Sequence, residues 1–93
     1  MRLSIEEVNA IKKVVASLDI NAKVYLFGSR VYEDQRGGDI DLLIFSNRLS
    51  QKDASEIRYD LWDHIGEQKI DIIVAKDRSH PFTRIALKEA ILL

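Results

Sequence analysis

The sequence contains no cysteine. Disulfides and thiolate zinc sites are therefore excluded, and a reducing compartment is compatible with the chain. Neither sign of charge dominates, with 14 Lys and Arg against 15 Asp and Glu. Strong non-specific binding to DNA or RNA needs a basic surface, so that class drops out. No apolar run approaches the ~20 residues needed to cross a bilayer. The opening Met1-Arg2-Leu3-Ser4-Ile5-Glu6-Glu7 has no apolar stretch of the signal-peptide kind. The expectation is a cytoplasmic protein with no membrane association. No internal repeat, linker or low-complexity segment interrupts residues 1–93, which reads as a single domain. Its core must be small, so help from a partner is plausible. There is no Gly-x-x-x-x-Gly-Lys-Ser/Thr string, and Gly28 is not followed by the Gly-x-x-Gly of a dinucleotide fold. Those two nucleotide-binding classes are excluded as well.

What the chain does contain is a set of local structural signals. Ser4 and Glu7 form a capping-box pair. Behind it, Ile5, Val8, Ile11, Val15 and Leu18 recur at helical spacing, which predicts a first helix from Ile5 to Leu18. Lys23 to Phe27 is rich in β-formers and stops at Gly28, so it reads as a strand. Ser29 to Glu33 suits a short helical turn, broken by Arg36-Gly37-Gly38. Asp39 to Ser46 is the longest strand candidate. Its run from Leu42 to Phe45 is continuously apolar, which implies burial on both faces. Ser50 and Asp53 open a second helix with Ala54, Ile57, Leu61 and Ile65 as its apolar stripe, and Gly66 closes it. Lys69 to Ala75 is a third strand. Pro81 starts a last helix behind Ser79 or His80, with Phe82, Ile85, Ala86, Ala90 and Leu93 predicted to face inward. The order predicts an α/β (α+β) layer architecture, a small mixed β-sheet covered by helices.

The chemistry is concentrated in three places. Leu26-Phe27-Gly28-Ser29-Arg30 sets a tight Gly-Ser turn after an apolar strand, where Gly28 allows close backbone approach and Ser29 offers a hydroxyl and an N–H to a phosphate. Asp39-Ile40-Asp41 puts two carboxylates at alternate strand positions, on one face and roughly 7 Å apart at Cα. Asp71, between Ile70 and Ile72, is a third acid on another strand. If the two strands are neighbours, the three acids share a pocket. Two unit charges about 4 Å apart repel by roughly 4 kcal/mol at a surface-like dielectric. Divalent cations remove that cost, and Mg²⁺ takes oxygen ligands. The plainer alternative is surface ion pairing of the acids with Arg30 and Arg36, worth about 0–1 kcal/mol each. It accounts for one acid more easily than for three. The two readings give opposite signs: Asp39→Asn or Asp71→Asn should raise the metal-free melting temperature if the acids repel, and lower it if they are paired.

Other polar and aromatic residues carry less. Arg30 could reach a phosphate or pair with an acid. Trp62, Tyr32 and Tyr59 read as packing or partner-interface residues. His64 reads as helix surface and His80 as a helix cap, neither with a companion at metal spacing.

Taken together, Gly28-Ser29, nine intervening residues, Asp39-x-Asp41 and a later Asp71 resemble the nucleotidyltransferase superfamily of the DNA polymerase β type. The whole string looks most like the minimal nucleotidyltransferases (MNT proteins) that accompany HEPN proteins in toxin–antitoxin pairs. The resemblance implies a nucleotidyltransferase-like fold in one minimal domain. It implies that Gly28, Ser29 and Arg30 bind the nucleotide, and that Asp39, Asp41 and Asp71 are catalytic and hold Mg²⁺. The implied reaction moves AMP from ATP, or another NMP from its NTP, to a hydroxyl, with a HEPN tyrosine as the acceptor and this chain as antitoxin. Acceptor recognition would then come from another chain. Two further readings remain: a non-catalytic module that neutralises a partner by contact, and a nucleotide sensor.

Overall fold

A computed structural model describes residues 1–93. Helix α1 spans Ile5–Leu18, and the Ser4 hydroxyl accepts from the Glu7 N–H while the Glu7 carboxylate accepts from the Ser4 N–H. Strand β1 is Lys23–Phe27, followed by a single 3₁₀ turn at Gly28–Val31. Strand β2 is Ile40–Phe45. A second 3₁₀ turn, Gln51–Asp53, leads into α2 at Ala54–Ile65, which Gly66 ends with φ 86°. Strand β3 is Ile70–Ala75, α3 is Pro81–Leu87 and β4 is Ile91–Leu92. These elements form a small α+β fold with a four-stranded mixed sheet, as the sequence predicted.

The sheet order is β3-β2-β1-β4. β1 runs antiparallel to both β2 and β4, whereas β2 and β3 are parallel and joined through α2. Strand alternation divides the side chains between two faces. Val24, Leu26, Ile40, Leu42, Ile44, Ile70 and Ile72 join Ile11, Val14 and Val15 of α1 and Ile57 and Leu61 of α2 in one core. The other face carries Phe27, Asp41, Leu43 and Asp71. Leu43 is fully buried on that second face, where Phe82 of α3 meets the Phe27 ring edge-on at 6.4 Å. The apolar run of β2 is thus covered on both sides.

The far end of the sheet is tied by a buried polar cluster. The Ser46 hydroxyl donates to Asp19 at 2.6 Å and accepts from the backbone of Arg48 and Leu49. That hydrogen bond holds the Asp19 carboxyl below its ordinary range.

Three expectations need correction. The last helix stops at Leu87, and its inward residue is Thr83, while Phe82 and Ile85 are 46% and 63% exposed. The residues beyond it form β4 rather than more helix. They supply partners to Tyr25 and Leu26, whose outer backbone groups would otherwise form a bare sheet edge. Tyr59 is 59% exposed, with its ring edge-on to Trp62, so it is not a core residue. Trp62 packs against the core and donates its indole N–H to the Gln68 carbonyl. His80 caps α3, accepting from the Phe82 N–H at 3.1 Å, and Pro81 takes the first helical position.

Candidate functional site

Register builds the site. Phe27 lies opposite Asp41 on the antiparallel pair, and Asp41 lies opposite Asp71 on the parallel pair. The three side chains therefore stand in a row across three strands, with neighbouring strands about 4.7–4.9 Å apart. Asp71 is exposed and Asp41 is half-buried. Burial first, and then the negative charges of Asp71 and Asp39, push the Asp41 carboxyl from its ordinary 3.8 up to about 6. A hydrogen bond to Asp71 favours the protonated form further, and Lys69 opposes these effects.

Asp39 is placed differently. It precedes β2, and its Oδ2 sits 3.2 Å from the ammonium of Lys69, the residue just before β3. That contact raises the lysine's affinity for its proton, with the carboxylate of Asp71 contributing. No three acidic groups are drawn together at metal-holding distance. The ion pair anticipated for an acid is thus real for Asp39, but its partner is Lys69 rather than Arg30 or Arg36. The stability expectation for Asp39→Asn changes sign accordingly.

The Gly-Ser turn is locked against the acid strand by close approach. Gly28 has φ 76°, and a Cβ there would lie 2.2 Å from Oδ2 of Asp41. Gly38, at φ 88°, would place a Cβ 2.1 Å from the Ser29 hydroxyl. Each glycine is thus needed for its backbone conformation, and a methyl group there would displace the facing carboxylate or hydroxyl. Gly38 did not stand out in the sequence, since its neighbour Gly37 meets nothing within 4 Å and the two read alike as a loop breaker.

Two arginines staple the loop between β1 and β2. Arg2 donates to the carbonyls of Tyr32, Gly37 and Ser29 at 2.7, 2.8 and 3.0 Å. Arg30 donates to the carbonyls of Gly38 at 3.1 Å and Arg2 at 2.9 Å. Arg30, read in the sequence as a phosphate contact or an acid's partner, thus has two of its donors on backbone carbonyls here. Arg2 carried no motif, and its role follows from the chain's N-terminal segment crossing the loop.

Carboxylate oxygens are the donors a hard divalent cation prefers, and Asp41 and Asp71 stand together while Asp39 is held apart by Lys69. Asp41 and Asp71 face each other at a cost that a cation or a proton relieves, so the residues present fit such an ion. A family model described as a nucleotidyltransferase domain matches residues 8–93. No curated protein matches the chain.

Proposed function

The chain belongs to the nucleotidyltransferase domain family, whose substrates are nucleoside triphosphates, and from that premise we propose that it transfers AMP from ATP to a hydroxyl. What carries the reading is the Asp41–Asp71 pair on adjacent parallel strands, backed directly onto Gly28. Facing carboxylates repel in a bare fold, and arriving positive charge relieves that repulsion. We assign Mg²⁺ to Asp39, Asp41 and Asp71; when bound it neutralises triphosphate charge and acidifies the acceptor hydroxyl. To join Asp41 and Asp71, Asp39 would release the Lys69 ammonium it holds here.

The remaining work falls to the chain's own groups. The Ser29 hydroxyl and the turn that carries it hold the β- and γ-phosphates, with Arg30 beside them. Asp71, the exposed acid of the set, accepts the proton of the acceptor hydroxyl. The acceptor oxygen bonds to the α-phosphorus, the bond from that phosphorus to the bridging oxygen breaks, and pyrophosphate departs with the electron pair. Positioning and charge neutralisation supply most of the rate. The subtype we propose is the minimal nucleotidyltransferase, a single-domain antitoxin whose acceptor is a tyrosine of a HEPN partner.

Incubation with α-labelled ATP, Mg²⁺ and the partner encoded beside it tests this. Label should appear on the partner and vanish with Asp41→Ala. Transfer that survives both Asp39→Ala and Asp41→Ala removes those residues from the mechanism. A second reading, neutralisation by contact alone, is favoured by the exposed Phe82, Ile85 and Leu92. Under it, the double aspartate variant neutralises the partner as well as the native chain does.

A further inference from the structure

The acids stand where the parallel strands β2 and β3 begin. Where those strands finish, a cavity of about 490 Å³ opens outside Phe45 and Lys76, beside Lys23 at the start of β1. A strand rises ~3.3 Å per residue, so about 13 Å of β2 separates Asp41 from Phe45. In sheets of parallel strands joined by helices, ligands settle in the crevice outside the carboxyl ends, and this cavity occupies that place. Phe45 is the one hydrophobic residue among the eight that line it.

Lys23, Arg48 and Lys76 bring three positive charges to the wall. The two ion pairs of the structure, Met1 with Glu33 and Lys69 with Asp39, include none of them. Arg2, Arg30, Arg58 and Arg84 spend side-chain donors on backbone carbonyls, whereas Arg48 bonds only through its backbone N–H. Two acids lie near, and both are committed. Asp19 takes the Asn21 N–H on one oxygen and the Ser46 hydroxyl on the other, and Asp77 takes the Ser79 N–H. Only Asp19 is on the lining, so three cations face one carboxylate, in a chain whose net charge is −1. A cavity of this size is about one Debye length across, so the three charges act together on one occupant. The floor is fixed in advance. Asp19 and Ser46 are both buried, and the Ser46 hydroxyl also holds the Arg48 and Leu49 N–H groups, which sets the turn bearing Asn47 and Arg48.

We propose that this cavity binds a compact, multiply charged phosphate anion, at a site separate from the acids and independent of the transferase reading. The planar Arg48 guanidinium takes two phosphate oxygens. Lys23 and Lys76 neutralise the remaining charge from the strands on either side of β2. The Asn47 amide, also on the lining, adds an uncharged donor. Phe45 sets its ring edge-on to Tyr25 at 5.8 Å, and with no other apolar wall the recognised group is the anion itself.

Amide NMR in a chelator at low ionic strength, with inorganic pyrophosphate as probe and succinate as a carboxylate control, tests this. Signals of residues 46–49 and of Lys76 should shift along one saturable curve, and pyrophosphate should bind the more tightly. Arg48→Gln and Lys76→Gln should each weaken pyrophosphate by about tenfold, and Arg48→Lys by less. Both side chains are exposed, and unmoved signals elsewhere verify that each variant is folded. Native-chain shifts confined to residues 28–30 place pyrophosphate at the Gly-Ser turn alone and overturn the proposal. Affinity indifferent to Arg48 and Lys76 overturns it too, as does succinate binding as tightly as pyrophosphate.

Discussion

Replacing Asp41 with asparagine keeps the side chain's shape against Gly28 and its hydrogen-bonding capacity toward Asp71. What it removes is one of two negative charges facing each other across β2 and β3. The folded chain holds the Asp41 proton up to about pH 6, whereas the ordinary value is 3.8. Between those two values the folded state binds more protons than the unfolded state. Stability contributed by this group therefore falls as pH rises through that window and stays low above it. At about 1.4 kcal/mol per pH unit the full effect would be ~3 kcal/mol, and solvent screening of a half-buried carboxylate reduces it to ~1–1.5 kcal/mol. For a domain of this size each kcal/mol moves the melting temperature by about 4–8 °C. Asp41→Asn should then melt about 5–10 °C above the native chain at about pH 8 in a chelator, with the gap closing near pH 4. Adding Mg²⁺ should raise the native chain more than the variant. Thermal melts at both pH values, with and without Mg²⁺, measure this. A variant no more stable than the native chain at about pH 8 refutes the repulsion argument. An equal gain at both pH values would assign the effect to packing instead of charge.

Asp39→Asn should move the other way, with a small loss of stability, because it breaks an exposed pair with Lys69 and relieves less repulsion; chemical denaturation in a chelator reads the sign. Gly28→Ala should cost about 1–3 kcal/mol and abolish labelling, since its methyl group collides with Asp41 and a side chain at φ 76° is strained; full activity in that variant would dissociate the turn from the acids. Arg2→Ala, which removes three hydrogen bonds to the loop, should cost about 1–2 kcal/mol. Hydrogen exchange across residues 29–37 should accelerate and KM for ATP should rise, while unchanged exchange would mean the loop holds itself.

Much of the fold was legible in local sequence. α1 and β1 begin and end where their capping box, periodicity and terminal Gly28 put them, and Gly66 closes α2, because capping, helical period and glycine at positive φ act within a few residues. β2 and β3 start one residue later than their apolar runs suggested, and that small difference leaves Asp39 outside the strand. The Phe82, Ile85, Ala86 and Ala90 spacing suggested a longer helix with a buried stripe, but a pattern cannot say which surface exists to receive it. The residues after Leu87 instead complete the edge of β1.

The candidate site divides along the same line. The residue types of a metal and phosphate site, and the turn that bears Gly28, are written in the chain as short-range patterns. Tertiary structure alone decided that Asp71 stands beside Asp41, that Lys69 draws Asp39 aside, and that Arg2 and Gly38 secure the loop. Apart from those of Gly38, these contacts join residues some 30 positions apart, as with Asp41 and Asp71, whose adjacency depends on strand order and register. Periodicity reports which way a side chain points along its own strand, and only pairing between strands determines what it meets.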